Sequence, residues 1–171
     1  LAGMRPYTFS KEDEIREEKW NKYKVIYAKY VEFYHKDLFK NPLAKKAKDY
    51  LKNRSLTIEE VKKFKIGYVS NDEKFKEEIF KEFTESEIKE TGLFYFDENK
   101  KKYVDRFRDR VIFPINNISG DPIALGGRII KDNKYLAKYI NSPETPFFKK
   151  GSNLYNLDFT RKLSNNVDLS L

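Results

Sequence analysis

The spacing of apolar positions changes once along this chain. From Lys11 to about Lys40, Tyr23, Ile26, Tyr27, Tyr30, Tyr34 and Leu38 recur at three and four residues, the spacing of one long amphipathic helix. Glu12, Asp13 and Glu14 suit its positive first turn, and Lys36 and Lys40 its negative last one. Asn41-Pro42 stops it, because a proline crowds the residue before it out of the helical region. A second helix is predicted over about Leu43 to Asn53, with Leu43, Ala47, Tyr50 and Leu51 on one face. Thr57 and Glu60 have capping-box spacing and open a third, short helix. Ile66-Gly67-Tyr68-Val69 follows as a short apolar segment. Asn71 to Phe83 is helical by period. Thr84 and Glu87 form another capping-box pair, and Gly92 caps the C-terminus of the helix they open. Residues 1–10 lack any periodicity and hold Gly3 and Pro6.

After Gly92 the pattern becomes that of strands. Leu93-Phe94-Tyr95-Phe96 is a strand and Asp97-Glu98-Asn99-Lys100 its turn. Val111 to Ile115 is a second strand, which Pro114 places at an edge or an end, since proline cannot donate to a ladder. Asn116 to Pro122 carries turn chemistry, and Ile123 to Ile130 returns as the other arm of a hairpin. Asn141 to Pro146 is a polar loop with two prolines. The fold class is α+β, a helical N-terminal part followed by a small antiparallel sheet.

Charge sharpens this division. The 171 residues carry 35 Lys and Arg against 27 Asp and Glu, a net charge of +8. Residues 1–100 hold 22 basic and 20 acidic side chains, whereas residues 101–171 hold 13 and 7, a net +6. The first part is a mixed-charge helical surface; the second is basic and attracts polyanions. The absence of cysteine excludes disulfides, thiolate zinc sites and cysteine nucleophiles, and the single histidine, His35, excludes a multi-histidine metal site. No apolar run approaches the length of a membrane span and no signal peptide opens the chain, so the expected location is the cytoplasm and no membrane is expected as a partner.

The residues offer binding more readily than catalysis. Asp105, Asp109, Asp121, Asp132, Glu144, Asp158 and Asp168 are scattered, and none forms the D-x-D spacing of a strand-borne two-metal site. In an extended stretch Arg106, Arg108 and Arg110 point the same way and make a phosphate-binding row; the alternative is a strand edge ion-paired through Asp105 and Asp109. Gly126-Gly127-Arg128 interrupts a strand, as at a bulge or where another backbone passes closely, and projects Arg128. In Lys138-Tyr139-Ile140-Asn141, the lysine suits a phosphate and the tyrosine a base, which it would stack on. The asparagine suits a base edge or backbone, or else caps the loop that follows.

These same residues resemble the bacterial DnaG-type DNA primases. The run Asp105 to Ile115 (DRFRDRVIFPI), then Gly126-Gly127-Arg128, Lys138 to Thr145 (KYINSPET), Lys150-Gly151 and Leu154-Tyr155 follows the family's motifs in order, and Ala47 to Gly67 is similar to its Y-L-x-x-R and F-x-[IL]-G stretch. Ile140 stands where the family has Leu, and Asn156 where it has the Gly of LYG. The link from Arg128 to Lys138 is about two residues longer.

The resemblance implies residues 16–163 as the N-terminal lobe of the primase RNA polymerase domain. Residues 1–15 are then a lead-in from a zinc-binding domain, and 164–171 a linker toward the toprim lobe. It implies Arg54, Arg106, Arg108, Arg110, Arg128, Lys138, Tyr139 and Asn141 as nucleic-acid-binding residues, with no catalytic or metal-ligating residue in this segment. Mg²⁺ would belong to the toprim lobe and Zn²⁺ to the zinc-binding domain. The implied activity is synthesis of short RNA primers on single-stranded template DNA during replication. The implied partners are that template, the RNA–DNA hybrid, ribonucleoside triphosphates, and the replicative helicase through another domain, with the chain itself a monomer. This segment alone is expected to be inactive. The alternative is a free-standing, non-catalytic domain that binds single-stranded nucleic acid.

Overall fold

A computed structural model describes residues 10–131 and 135–152. Among these residues the helices are α1 (Lys11–Lys40), α2 (Lys45–Asn53), α3 (Ile58–Lys63), α4 (Lys74–Glu82) and α5 (Glu85–Thr91). The strands are β1 (Gly67–Val69), β2 (Phe94–Asp97), β3 (Lys102–Asp105), β4 (Arg110–Asn116), β5 (Pro122–Ile129) and β6 (Tyr139–Asn141). The α+β class holds, and the helix ends fall where local chemistry puts them. Ser10, Thr57 and Thr84 accept from the backbone N–H three residues on, and Asp13, Glu60 and Glu87 reach back in reciprocal capping boxes. Asn41 ends α1, and its side chain accepts from the Leu43 N–H to start a single 3₁₀ turn before α2. Gly92 closes α5 in the left-handed region.

The four-stranded antiparallel sheet has the order β1-β4-β5-β6, and β2-β3 forms a separate hairpin. β1 comes from the helical half and pairs with β4 through Gly67↔Ile112 and Val69↔Arg110. It lies directly beneath α1: a Cβ on Gly67 would come within 2.9 Å of the Tyr34 carbonyl carbon. Only a residue without a side chain permits that approach.

Three expectations are corrected. β4 is an inner strand, yet β1 stops opposite Ile112, so Pro114 lies past the end of its neighbour and removes no bond from that side. The glycine pair makes no bulge. Gly126 and Gly127 keep regular register with Phe113 and Ile112, and the irregularity falls at Ile115/Asn116. A Cβ on Gly127 would sit 2.6 Å from the Phe107 ring and 3.2 Å from Cδ of Arg110, so the space is taken by side chains. Residues 139–141, read as the border of a loop, are the outer strand β6, paired Arg128↔Tyr139 and Gly126↔Asn141.

The core divides in two. One cluster joins the inner face of α1 to Phe75, Ile79, Ile88, Phe94, Phe107, Ile112 and Leu125. The other joins Leu38, Ala47, Leu51, Val61, Ile66 and Tyr68 to Val111, with Tyr50 packed at its margin. The buried face of α1 is built from tyrosines, and each hydroxyl finds a partner, as buried polar groups must. Tyr23 donates to the Ile123 carbonyl at 2.8 Å and Tyr27 to the Thr91 carbonyl at 3.0 Å. Tyr30 and Tyr34 donate to the two oxygens of Asp105 at 2.7 and 3.2 Å. Burial lifts all four phenols above their ordinary range, Tyr27, Tyr30 and Tyr34 well above it. Burial also pushes the Asp105 carboxyl up to about 6 against these hydrogen bonds. No described helix is long and apolar enough to cross a membrane.

Candidate nucleic-acid interface

The segment 138–146 organises the candidate residues. Its first three strand residues form β6, and its next residue, Ser142, is locked into the sheet. The Ser142 N–H donates to the Leu125 carbonyl at 2.8 Å, and its hydroxyl accepts from the Leu125 N–H at 2.9 Å and meets the Tyr27 hydroxyl at 3.2 Å. Thr145 meets the Tyr23 hydroxyl at 3.1 Å. The long helix therefore holds this segment from below through two of its tyrosines.

At the start of the segment, Arg128 of β5 lies between two aromatic rings. Its guanidinium carbon is 5.3 Å from the ring centre of Tyr139 and 5.3 Å from that of Tyr50 on α2, cation–π distances for both. Arg54, at the C-terminus of α2, also lies at cation–π distance from Tyr50, 5.6 Å from its ring centre. The guanidinium also donates to the Ile129 carbonyl, while its buried Nε has no partner among the described residues. Tyr139 is 61% exposed, and the neighbouring Arg128 pulls its phenol below the ordinary value. Lys138 and Asn141 are exposed beside it. Tyr50, which completes this stack, was placed by periodicity on an apolar helix face; its position four residues before Arg54 is the signal that could have singled it out.

The three arginines of the 106–110 stretch do not form a row. Residues 106–109 are a turn between β3 and β4, with Asp109 at φ 59° and the Phe107 N–H donating to Asp105 at 2.8 Å. Phe107 is fully buried, and sinking it into the core bends the chain that an extended reading would leave straight. Arg110 is 4% exposed, and its Nη1 reaches the Lys138 carbonyl at 3.4 Å. Burial, with Arg128 nearby, lowers its pKa. It supports the backbone at Lys138 rather than facing solvent. Arg108 is half-buried on the turn. Arg106 sits at the far end of the segment: its Nε donates to the Gly92 carbonyl at 2.7 Å, and its guanidinium lies 5.6 Å from the Tyr95 ring centre. There it lines a cavity of about 320 Å³ with Gly92, Tyr95, Pro143, Glu144 and Thr145. The structure thus gathers Arg54, Arg128 and Tyr139 around Tyr50, with Lys138 and Asn141 exposed next to them in the chain and Arg110 buried against the Lys138 carbonyl, and sets Arg106 apart at the other end.

The carboxylates are occupied elsewhere. Lys22 bridges Glu18 and Glu87 at 2.9 and 2.8 Å, and Glu73 takes both Lys76 and Lys102. Among the described residues no three His, Cys, Asp or Glu side chains converge as metal ligands.

The family model of the DNA primase catalytic core, N-terminal domain, matches residues 33–161. The chain belongs to this family. A DNA primase of Clostridium acetobutylicum is 39% identical over 91% of this chain and 25% of its own length. A DNA primase of Pseudomonas putida is 41% identical over 80% of this chain and 21% of its own length. The chain therefore spans about a quarter of the curated primases it matches. A solved structure described as the DnaG primase catalytic domain bound to ssDNA superposes with a TM-score of 0.74 at 28% identity, covering 87% of this chain and 46% of the other. The α+β arrangement of helices followed by small antiparallel sheets is that of the DnaG catalytic core.

Proposed function

We propose that this primase core domain holds single-stranded template DNA along segment 138–146, within an enzyme that makes short RNA primers for replication. The observation that carries the reading is the guanidinium of Arg128 against the rings of both Tyr50 and Tyr139 at the outermost described strands of the sheet, with Lys138 and Asn141 exposed nearby. A fixed guanidinium suits phosphate oxygens, and an exposed ring suits a base of any identity. The relative described as bound to ssDNA supports the same reading.

In this proposal Arg128, Lys138 and Arg54 contact backbone phosphates, Tyr139 stacks on a base, and Asn141 bonds a base edge or sugar. Arg110 acts through the Lys138 carbonyl. Arg106 and Arg108, toward the other end, serve the RNA–DNA hybrid and the incoming ribonucleoside triphosphate. Phosphoryl transfer and its Mg²⁺, like the Zn²⁺ site and the contact with the replicative helicase, belong to other domains of a monomeric cytoplasmic enzyme at the replication fork. The chain alone binds template and incorporates no nucleotide.

Filter binding of labelled single-stranded DNA at moderate salt tests the reading. Lys138→Ala and Arg128→Ala are each expected to weaken binding about tenfold and to flatten its dependence on salt. Binding equal to the unmodified chain would overturn it, and nucleotide incorporation by the chain alone would overturn the division of labour.

A further inference from the structure

We infer that Tyr50 is a positioning residue for Arg128: its ring forms the inner wall that holds the guanidinium flat toward a nucleic-acid phosphate. The inference rests on the binding role proposed above for Arg128. It stands on the shared contacts of Tyr50: among the described residues its ring lies within cation–π distance of two arginines, Arg54 at 5.6 Å and Arg128 at 5.3 Å, and Arg128 in turn lies 5.3 Å from the ring centre of Tyr139.

An arginine on a strand has four rotatable bonds and loses much of its freedom when it grips a ligand. Arg128 has lost part of it in advance. One ring comes from the adjacent strand, where the register Arg128↔Tyr139 sets Tyr139 beside it. The other comes from α2, a separate element packed through the second core cluster. Tyr139 is largely exposed, on the outermost described strand. Tyr50 is only partly exposed and packs against that cluster, so its ring cannot leave. The two tyrosines therefore differ in task, one reaching outward and the other fixing the arginine from within.

The test compares Tyr50→Phe and Tyr50→Leu with Arg128→Ala, measuring single-stranded DNA affinity as a function of salt. Phe keeps the ring and is expected to bind as the unmodified chain does. Leu keeps the apolar contact with the core but removes the π-face; it is expected to bind about fivefold more weakly. Its plot of log affinity against log salt should lose about 0.7 of slope, the equivalent of one single-strand phosphate contact. Coincident thermal unfolding of the Phe and Leu variants separates this effect from misfolding, which a purely structural residue would show instead. The double variant Tyr50→Leu/Arg128→Ala should bind no more weakly than Arg128→Ala, because both act on one contact. Three results overturn the assignment while leaving the binding face standing: Leu binding at full strength where Arg128→Ala is weak, an unchanged salt slope in the Leu variant, or losses that multiply in the double variant. Full-strength binding by Arg128→Ala overturns the role of Arg128 itself, and the role of Tyr50 with it.

Discussion

Two sets of tyrosines in this domain do opposite things with the same phenol. Along α1, Tyr23, Tyr27, Tyr30 and Tyr34 are buried, and their hydroxyls end on backbone carbonyls or on Asp105. Burial keeps these phenols protonated, with pKa values raised. At the sheet edge, Tyr50 and Tyr139 lie against guanidinium groups, and the Tyr139 phenol is shifted downward by Arg128. The first set spends its polar atoms on internal bonds and leaves nothing for a ligand. The second turns its rings to guanidinium groups, and Tyr139 keeps most of its surface exposed. A tyrosine beside acid or carbonyl in the interior is architecture; a tyrosine beside arginine at the rim is a surface for something else.

Breaking the first set should cost stability, and breaking the second should cost binding. The largest effect is expected from Tyr30→Ala, which empties a fully buried aromatic site and strips Asp105 of its shortest bond; a loss of about 3–5 kcal/mol should appear in urea denaturation. Next comes Gly127→Ala, where the two regions meet. The added methyl runs into Phe107 from the core and Arg110 from the interface, and about 2 kcal/mol of stability should be lost by the same measurement.

Asp105→Asn sharpens the comparison through pH. The Asp105 pKa is raised in the folded state to about 6 from 3.8, so the folded chain binds a proton more tightly than the unfolded one. Its contribution is most favourable below pH 4 and declines as pH rises to 6, by about 3 kcal/mol at most. The difference in stability between the unmodified chain and Asp105→Asn should therefore fall across that window in denaturation series at pH 4, 5, 6 and 7. The smallest stability change belongs to Tyr139→Ala, within about 0.5 kcal/mol, while its single-stranded DNA affinity should drop by about 1–3 kcal/mol in fluorescence titration. A Tyr139→Ala variant that loses stability and keeps affinity would erase the distinction between the two sets.

Features decided within a few residues were legible in the sequence. The long helix, the Thr57/Glu60 and Thr84/Glu87 boxes and the Gly92 cap each depend on neighbours three or four positions away. Lys102–Asp105 and Tyr139–Asn141 were not read as strands, because four and three residues become strands only when a distant partner supplies the ladder. Arg106, Arg108 and Arg110 were legible as a group by spacing and misplaced by conformation, since the burial of Phe107 governs the turn. Arg128 and Tyr139 were found as separate motifs; that they meet follows from sheet register, and that Tyr50 joins them follows from the packing of α2, which no local pattern encodes.

β6 closes the sheet order at one side, so its outward N–H and C=O groups form an open ladder rung. Exposed rungs of this kind recruit a second chain and lead to edge-to-edge assembly when they are long and flat. Here the edge is three residues long, preceded by the charge of Lys138 and followed at once by buried Ser142 and by Pro143. A neighbouring molecule would find too few bonds to add itself as a strand. Brevity thus makes this edge a poor template for a further strand.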